Sequence, residues 1–100
     1  TQEFQNGELE TALKTLQEVL GIRNQQSVRD SGTEFYRFNI SSTLYSMGTI
    51  YQQLQQYQQA LKHYQQALEI RQQLGDQDRI AATLHNIGTV YHQLAIINIQ

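Results

Sequence analysis

Cysteine, proline and tryptophan are absent from this 100-residue chain, and methionine occurs once. Without cysteine there are no disulfides and no thiolate metal sites, which accords with a reducing compartment such as the cytoplasm. Basic residues are few, five Arg and two Lys, and the formal net charge is −2. No basic stripe exists to neutralise phosphates, so nucleic acid is not an expected partner. No apolar run approaches the roughly 18 residues a membrane span requires, so no membrane association is expected either. The chain opens at Thr1, without a methionine or a targeting pattern, as a fragment or processed product would. Asn39-Ile40-Ser41 matches a glycosylation sequon, which without a signal peptide reads as coincidence. The missing proline also carries information: proline is the strongest helix breaker, and the chain holds 18 Gln, a good helix former.

What the sequence does contain is a repeat. Residues 43–54 read TLYSMGTIYQQL and residues 83–94 read TLHNIGTVYHQL, identical at seven of twelve positions across an ungapped offset of 40. A second pair aligns residues 12–25 with 60–73 at an offset of 48, with Ala12/Ala60, Leu13/Leu61, Lys14/Lys62, Gln17/Gln65, Leu20/Leu68, Ile22/Ile70, Arg23/Arg71 and Gln25/Gln73 identical. Periods of this size are the mark of a solenoid.

Each unit resolves into two helices. Ile40, Leu44, Met47, Tyr51 and Leu54 step by 4, 3, 4, 3, which places them on one helical stripe, and Ile80, Leu84, Ile87, Tyr91 and Leu94 repeat that spacing. Tyr57, Ala60, Leu61, Tyr64, Ala67 and Leu68 form a wider stripe, which Leu9, Ala12, Leu13, Leu16, Val19 and Leu20 copy position for position. The Leu74-Gly75-Asp76 step supplies a glycine to end one helix and a capping aspartate to begin the next. The spacing predicts a second helix of one repeat at about 7–23, a complete pair at about 33–73 and a first helix of the next repeat at about 78–94. Residues 24–38 read either as a longer loop or as an extension of the following helix, with Phe35 and Phe38 favouring some packing there.

The order Leu44, Met47-Gly48, Tyr51, Ala60, Tyr64, restarted by Leu84, Ile87-Gly88 and Tyr91, resembles the tetratricopeptide repeat (TPR) over roughly residues 7–94. Gly48, Gly88, Ala60 and Ala67 are expected where helix backbones approach closely, with Tyr51 and Tyr64 filling the space between. The chain departs from the short form of that repeat: its period is about 40 rather than 34, Leu stands for the usual Trp, and the closing Pro is missing. The longer period, with its TLxNIGxVY and LxIRxxLGD text, looks like the kinesin-light-chain-like class common in bacterial, especially cyanobacterial, multidomain proteins. The resemblance implies an all-α fold, a right-handed α-solenoid of antiparallel helix pairs with about four helices, acting as a protein-binding scaffold without enzymatic activity or cofactor. It also implies a concave groove for a peptide or protein partner. On the first helices the side opposite the core stripe carries Tyr45, Thr49, Gln52 and Gln53, then His85, Asn86, Thr89, His92 and Gln93. These nine are the candidate groove, polar and nearly uncharged; the other reading is an ordinary solvated face. Family members that clamp a C-terminal carboxylate use Lys and Arg on this side, and none stands here.

Catalysis finds no support in the residues. His85 and His92 share a helix face but stand about 10 Å apart along its axis, too far for one metal ion. No histidine neighbours a nucleophile in a known motif, no glycine-rich phosphate loop occurs, and the spacing assigns Tyr51, Tyr57, Tyr64 and Tyr91 to packing. The tract QQLQQYQQ at 52–59 keeps Leu54 and Tyr57 in register, so it reads as helix end, turn and helix start rather than as an aggregating polar run. Gly7 falls where the turn between paired helices is expected, while the later copies put Gln55 and Ala95 there. The first and last helices have no partner on one side, so the alternative function is a self-associating module that stacks through its open repeat ends or exchanges helices where the turn glycine is missing.

Overall fold

The computed structural model describes residues 2–29 and 34–99, with side chains over 6–22 and 34–98. Four helices account for the described residues, with no strand among them: α1 (Gln2–Arg29), α2 (Glu34–Gln53), α3 (Tyr57–Leu74) and α4 (Gln77–Ile99). The fold is an all-α helical repeat. α2 packs most extensively on α3, α3 then carries α4, and α1 lies against α2. The body measures 47 × 29 × 17 Å, and its least dimension is that of two helix layers.

The helices outrun the sequence estimates. α1 extends through Arg29 instead of stopping near Arg23, and α2 begins by Glu34, so the additional residues of the first interval lengthen the helices; residues 30–33, Thr33 among them, lie outside those described. Phe38 is half-buried, with the Arg79 guanidinium 4.6 Å from its ring centroid, whereas Phe35 is exposed.

Two matching turns end α2 and α3. After α3, Gly75 takes a left-handed conformation (φ 71°); its N–H donates to the Gln72 carbonyl and the Asp76 N–H to the Arg71 carbonyl, a Schellman motif. Asp76 then caps α4: its carboxylate accepts the Arg79 N–H at 3.3 Å and pairs with the Arg79 guanidinium at 2.9 Å. The side-chain hydrogen bond from Arg79 holds the Asp76 carboxyl below the usual carboxylate range. After α2 the same two bonds form, Gln55 N–H to Gln52 and Gln56 N–H to Tyr51, but the left-handed position (φ 63°) is filled by Gln55. At the equivalent positions Gly7 and Ala95 the helix runs straight through, against the turn expected at Gly7.

A left-handed residue with a Cβ carries a strain of roughly 1–2 kcal/mol, and glycine's extra freedom in the unfolded chain recovers only part of it. Gln55→Gly is therefore expected to raise the melting temperature by about 2–4 °C, from a net gain of about 0.5 kcal/mol. Gly75→Gln, placing the strain in the sister turn, is expected to lower it. Parallel thermal melts by circular dichroism check both, and opposite signs would remove the argument.

The core forms two clusters along α3. Ala60, Leu61, Tyr64 and Val90 gather Tyr45, Tyr51, Tyr57, Ile87 and Leu94; Ile40, Leu44 and Ala67 gather Leu20, Tyr45 and Ile70. The alanines matter by their size. Gly48 has the closest approach: a Cβ there would lie 2.7 Å from Cδ1 and Cε1 of Tyr64. Gly88, assigned the same task by its sequence, meets nothing within 4 Å. Leu84 and Tyr91, assigned to packing with it, are 50% and 53% exposed. The reason is positional: α4 turns Thr83 and Val90 into α3, and no α3-like helix covers its Leu84–Gly88–Tyr91 side among the described residues.

Candidate functional site

The repeat brings the two first helices, α2 and α4, side by side across α3. Their junction is polar. Asn86 Nδ2 on α4 donates to the Tyr45 hydroxyl on α2 at 2.6 Å, and Gln52 Nε2 on α2 donates to Gln93 Oε1 on α4 at 2.9 Å. Below them stands Tyr64 of α3, 0% exposed. Its hydroxyl donates to Gln52 Oε1 at 2.8 Å, with Thr49 Oγ1 at 3.1 Å as the second acceptor. Thr49 spends its own hydrogen on the Tyr45 carbonyl, so towards Tyr64 it can only accept. Asn86 Nδ2 also lies 3.5 Å from the Tyr64 hydroxyl. The Tyr45 and Tyr64 rings meet at 5.4 Å, tilted by 56°.

Five of the nine sequence candidates, Tyr45, Thr49, Gln52, Asn86 and Gln93, are thus half-buried members of one network that ties α2, α3 and α4 together. They do not lie opposite the core; they form the seam above it. The physical cause is that α2 and α4 both pack on α3, which leaves this edge of each within side-chain reach of the other. Thr89 is half-buried and donates to the His85 carbonyl within its own helix. Gln53, His85 and His92 are exposed beside the seam, and among the described residues their side chains make no hydrogen bond. A surface with a braced polar floor and three free side chains can offer hydrogen bonds and imidazole contacts to a ligand.

One residue that the sequence did not place in the site is Arg71 of α3. It is 4% exposed; its Nη1 donates to Thr83 Oγ1 of α4 at 2.7 Å, and its guanidinium lies 4.5 Å from the Tyr45 ring centroid. Burial lowers its proton affinity below the ordinary guanidinium level, yet it stays charged. Its partners are a hydroxyl and a π-face, so the cation is lodged beneath Tyr45 rather than presented to solvent. The recurrence of Ile-Arg at 22–23 and 70–71 was the available signal: a cation held at one repeat position of an apolar stripe has a partner there.

Two clefts lie elsewhere and include none of the nine candidates. One, of about 360 Å³, runs between Leu20, Ile40, Leu44 and Ile70 with a rim of Gln66, Glu69 and Gln73; the other, of about 430 Å³, lies among Glu34, Phe35, Phe38, Leu74 and Asp76. Among the described residues no three His, Asp or Glu side chains gather as a metal site would require, and no helix is long and apolar enough to cross a membrane.

No curated protein and no solved structure matches the chain. The family model of the tetratricopeptide repeat matches residues 39–95, more than half of the sequence and the whole run from α2 into α4. That family is a non-catalytic repeat scaffold whose members are generally protein-interaction modules. The stacked helix pair, the seam between first helices and this match together place the chain in the tetratricopeptide repeat family.

Proposed function

We propose that this chain binds a peptide segment of another protein along the α2–α4 seam, in the cytoplasm, as part of a longer-period, kinesin-light-chain-like repeat array. The observation that carries the reading is the pair of cross-helix bonds, Tyr45–Asn86 and Gln52–Gln93, which make two helices one continuous polar surface. Gln53, His85 and His92 stand free along that surface, and a ligand would meet them first. The face bears no exposed Lys or Arg among its nine residues, which suits hydrogen-bonded recognition of an extended or helical segment over capture of a terminal carboxylate.

The test separates ligand contacts from structural ties. Peptides selected from a displayed random library against the chain are titrated against Gln53→Ala/His85→Ala/His92→Ala. The expected result is a loss of at least about tenfold in affinity, or ~1.4 kcal/mol, with the helical spectrum and melting temperature unchanged. Tyr45 is left intact because its ring braces Tyr64. Undiminished affinity in the triple variant would move the site off this face.

A second reading has its own support. Leu84 and Tyr91 are large apolar side chains, half-exposed and one helical turn to either side of Gly88. A contiguous apolar strip of this kind suits a surface that associates with protein, and it makes the chain a self-associating module.

A further inference from the structure

α4 carries the text of α2, and the fate of the same residues differs between the two. In α2, Leu44 packs with Ala67 and Ile70 of α3, Gly48 abuts the Tyr64 ring, and Tyr51 stacks on His63 at 4.9 Å. In α4 their counterparts are open: Leu84 is 50% and Tyr91 53% exposed, and nothing lies within 4 Å of a Cβ at Gly88. What covers the first set is α3. The other helix with α3's text is α1, where Ala12, Leu16, Val19 and Ile22 stand for Ala60, Tyr64, Ala67 and Ile70.

α1 has one edge engaged and one free. Leu13 is buried and Leu20 joins the Ile40–Leu44 cluster of α2. The opposite edge, with Thr15 and Ile22, is exposed, Ile22 at 58%. Helical geometry places Val19 on that edge, one turn from both. That edge is the counterpart of the His63–Ala67–Ile70 edge by which α3 holds α2. These two exposed surfaces are therefore the two halves of a contact the chain already makes internally.

We propose that two copies of this chain join head to tail, the Leu84–Gly88–Tyr91 face of α4 seating on the Thr15–Val19–Ile22 edge of the next copy's α1. This rests on the self-association reading and specifies its geometry. Leu84 takes the place of Leu44 against Ile22, and Leu16 lies over Gly88 as Tyr64 lies over Gly48. A second feature fits: α4 continues as helix past Leu94 and α1 begins before Gly7, where the covalently linked α2–α3 pair must turn. Two separate chains need no turn there. The contact is heterologous, so each addition leaves one face of each kind unused and the chain of copies grows without closing. The first helices then continue in line, α2, α4, α2, α4, lengthening the polar seam.

Sedimentation equilibrium on the chain over a wide concentration range, with Ile22→Glu and Leu84→Glu, tests this. Both positions are exposed, so the variants keep the wild-type helical spectrum. The wild-type mass is expected to climb from 11.6 kDa past the dimer as concentration rises. Each variant alone stays monomeric, and a mixture of the two forms a dimer and stops, because only one intact pairing remains. A wild-type dimer that does not grow, with no complementation in the mixture, would overturn the head-to-tail contact while leaving self-association standing. A strict monomer at every concentration would overturn both.

Discussion

Gly48→Leu is expected to lower the melting temperature by roughly 12–24 °C, corresponding to about 3 kcal/mol for a chain of this size. A Cβ on Gly48 would already stand 2.7 Å from two carbons of the Tyr64 ring, inside any real carbon–carbon contact. The ring has nowhere to retreat: it is fully buried, Tyr45 lies tilted against it, and its hydroxyl is held by Gln52 and Thr49. Leucine adds three more carbons, so α3 must lift from α2 along its main contact. Gly88→Leu is the matched control, since Gly88 has the same repeat position and nothing within 4 Å. There the helix propensity of leucine over glycine, up to about 1 kcal/mol, is the only term left, and the variant is expected to be slightly more stable. Gln53→Leu, on an exposed position, stays within about 0.5 kcal/mol. Melts are compared at concentrations where the chain is monomeric. Equal melting temperatures for the two glycine variants would show that α3 is not seated on α2 as described.

The same pair of glycines shows where sequence reasoning reaches its end. Periodicity identifies which residues share a stripe, and the stripe of α2 is buried or half-buried from Ile40 to Leu54 as its spacing requires. It cannot say whether a partner is present, because burial belongs to the pair and not to the helix. Leu44 is buried and Leu84 exposed for that reason alone. Turn chemistry was legible at Gly75, where the residue type announces a left-handed cap, and illegible at Gln55, where tertiary closure forces a side chain into the glycine conformation. At Gly7 no such closure acts and the helix simply continues. The site divides in the same way. Its nine residues could be named from spacing, yet the bonds that define it join residues 41 apart, Tyr45 to Asn86 and Gln52 to Gln93, and depend on how two helices lie against each other. Periodicity places Tyr45 off the Ile40–Leu44 stripe; only the neighbouring helix shows that it is a brace.

Tyr64→Ala is expected to lower the melting temperature by roughly 12–40 °C. The ring is wholly buried between three helices, and large-to-small core substitutions of aromatic residues cost about 3–5 kcal/mol. A chain of this length holds only about 5–15 kcal/mol in all. Tyr64→Phe keeps the ring and removes only the hydroxyl, so Gln52 and Thr49 lose a donor; the expected cost is about 1–2 kcal/mol. The two variants together separate packing from hydrogen bonding, and pH separates them further. Burial raises the Tyr64 phenol above the ordinary tyrosine value, outweighing the lowering by its bonds to Thr49 and Asn86. The folded chain therefore keeps that proton at a pH where the unfolded chain has released it. Its contribution is complete below the unfolded value of about 10 and is lost as pH rises from there through the folded value. Wild-type stability should accordingly fall more steeply above pH ~10 than that of Tyr64→Phe, whose other tyrosines are the same. Urea titrations of both proteins at neutral and alkaline pH measure the difference. Parallel losses would mean that the Tyr64 hydroxyl meets solvent freely, and with it the buried floor of the α2–α4 seam would have to be given up.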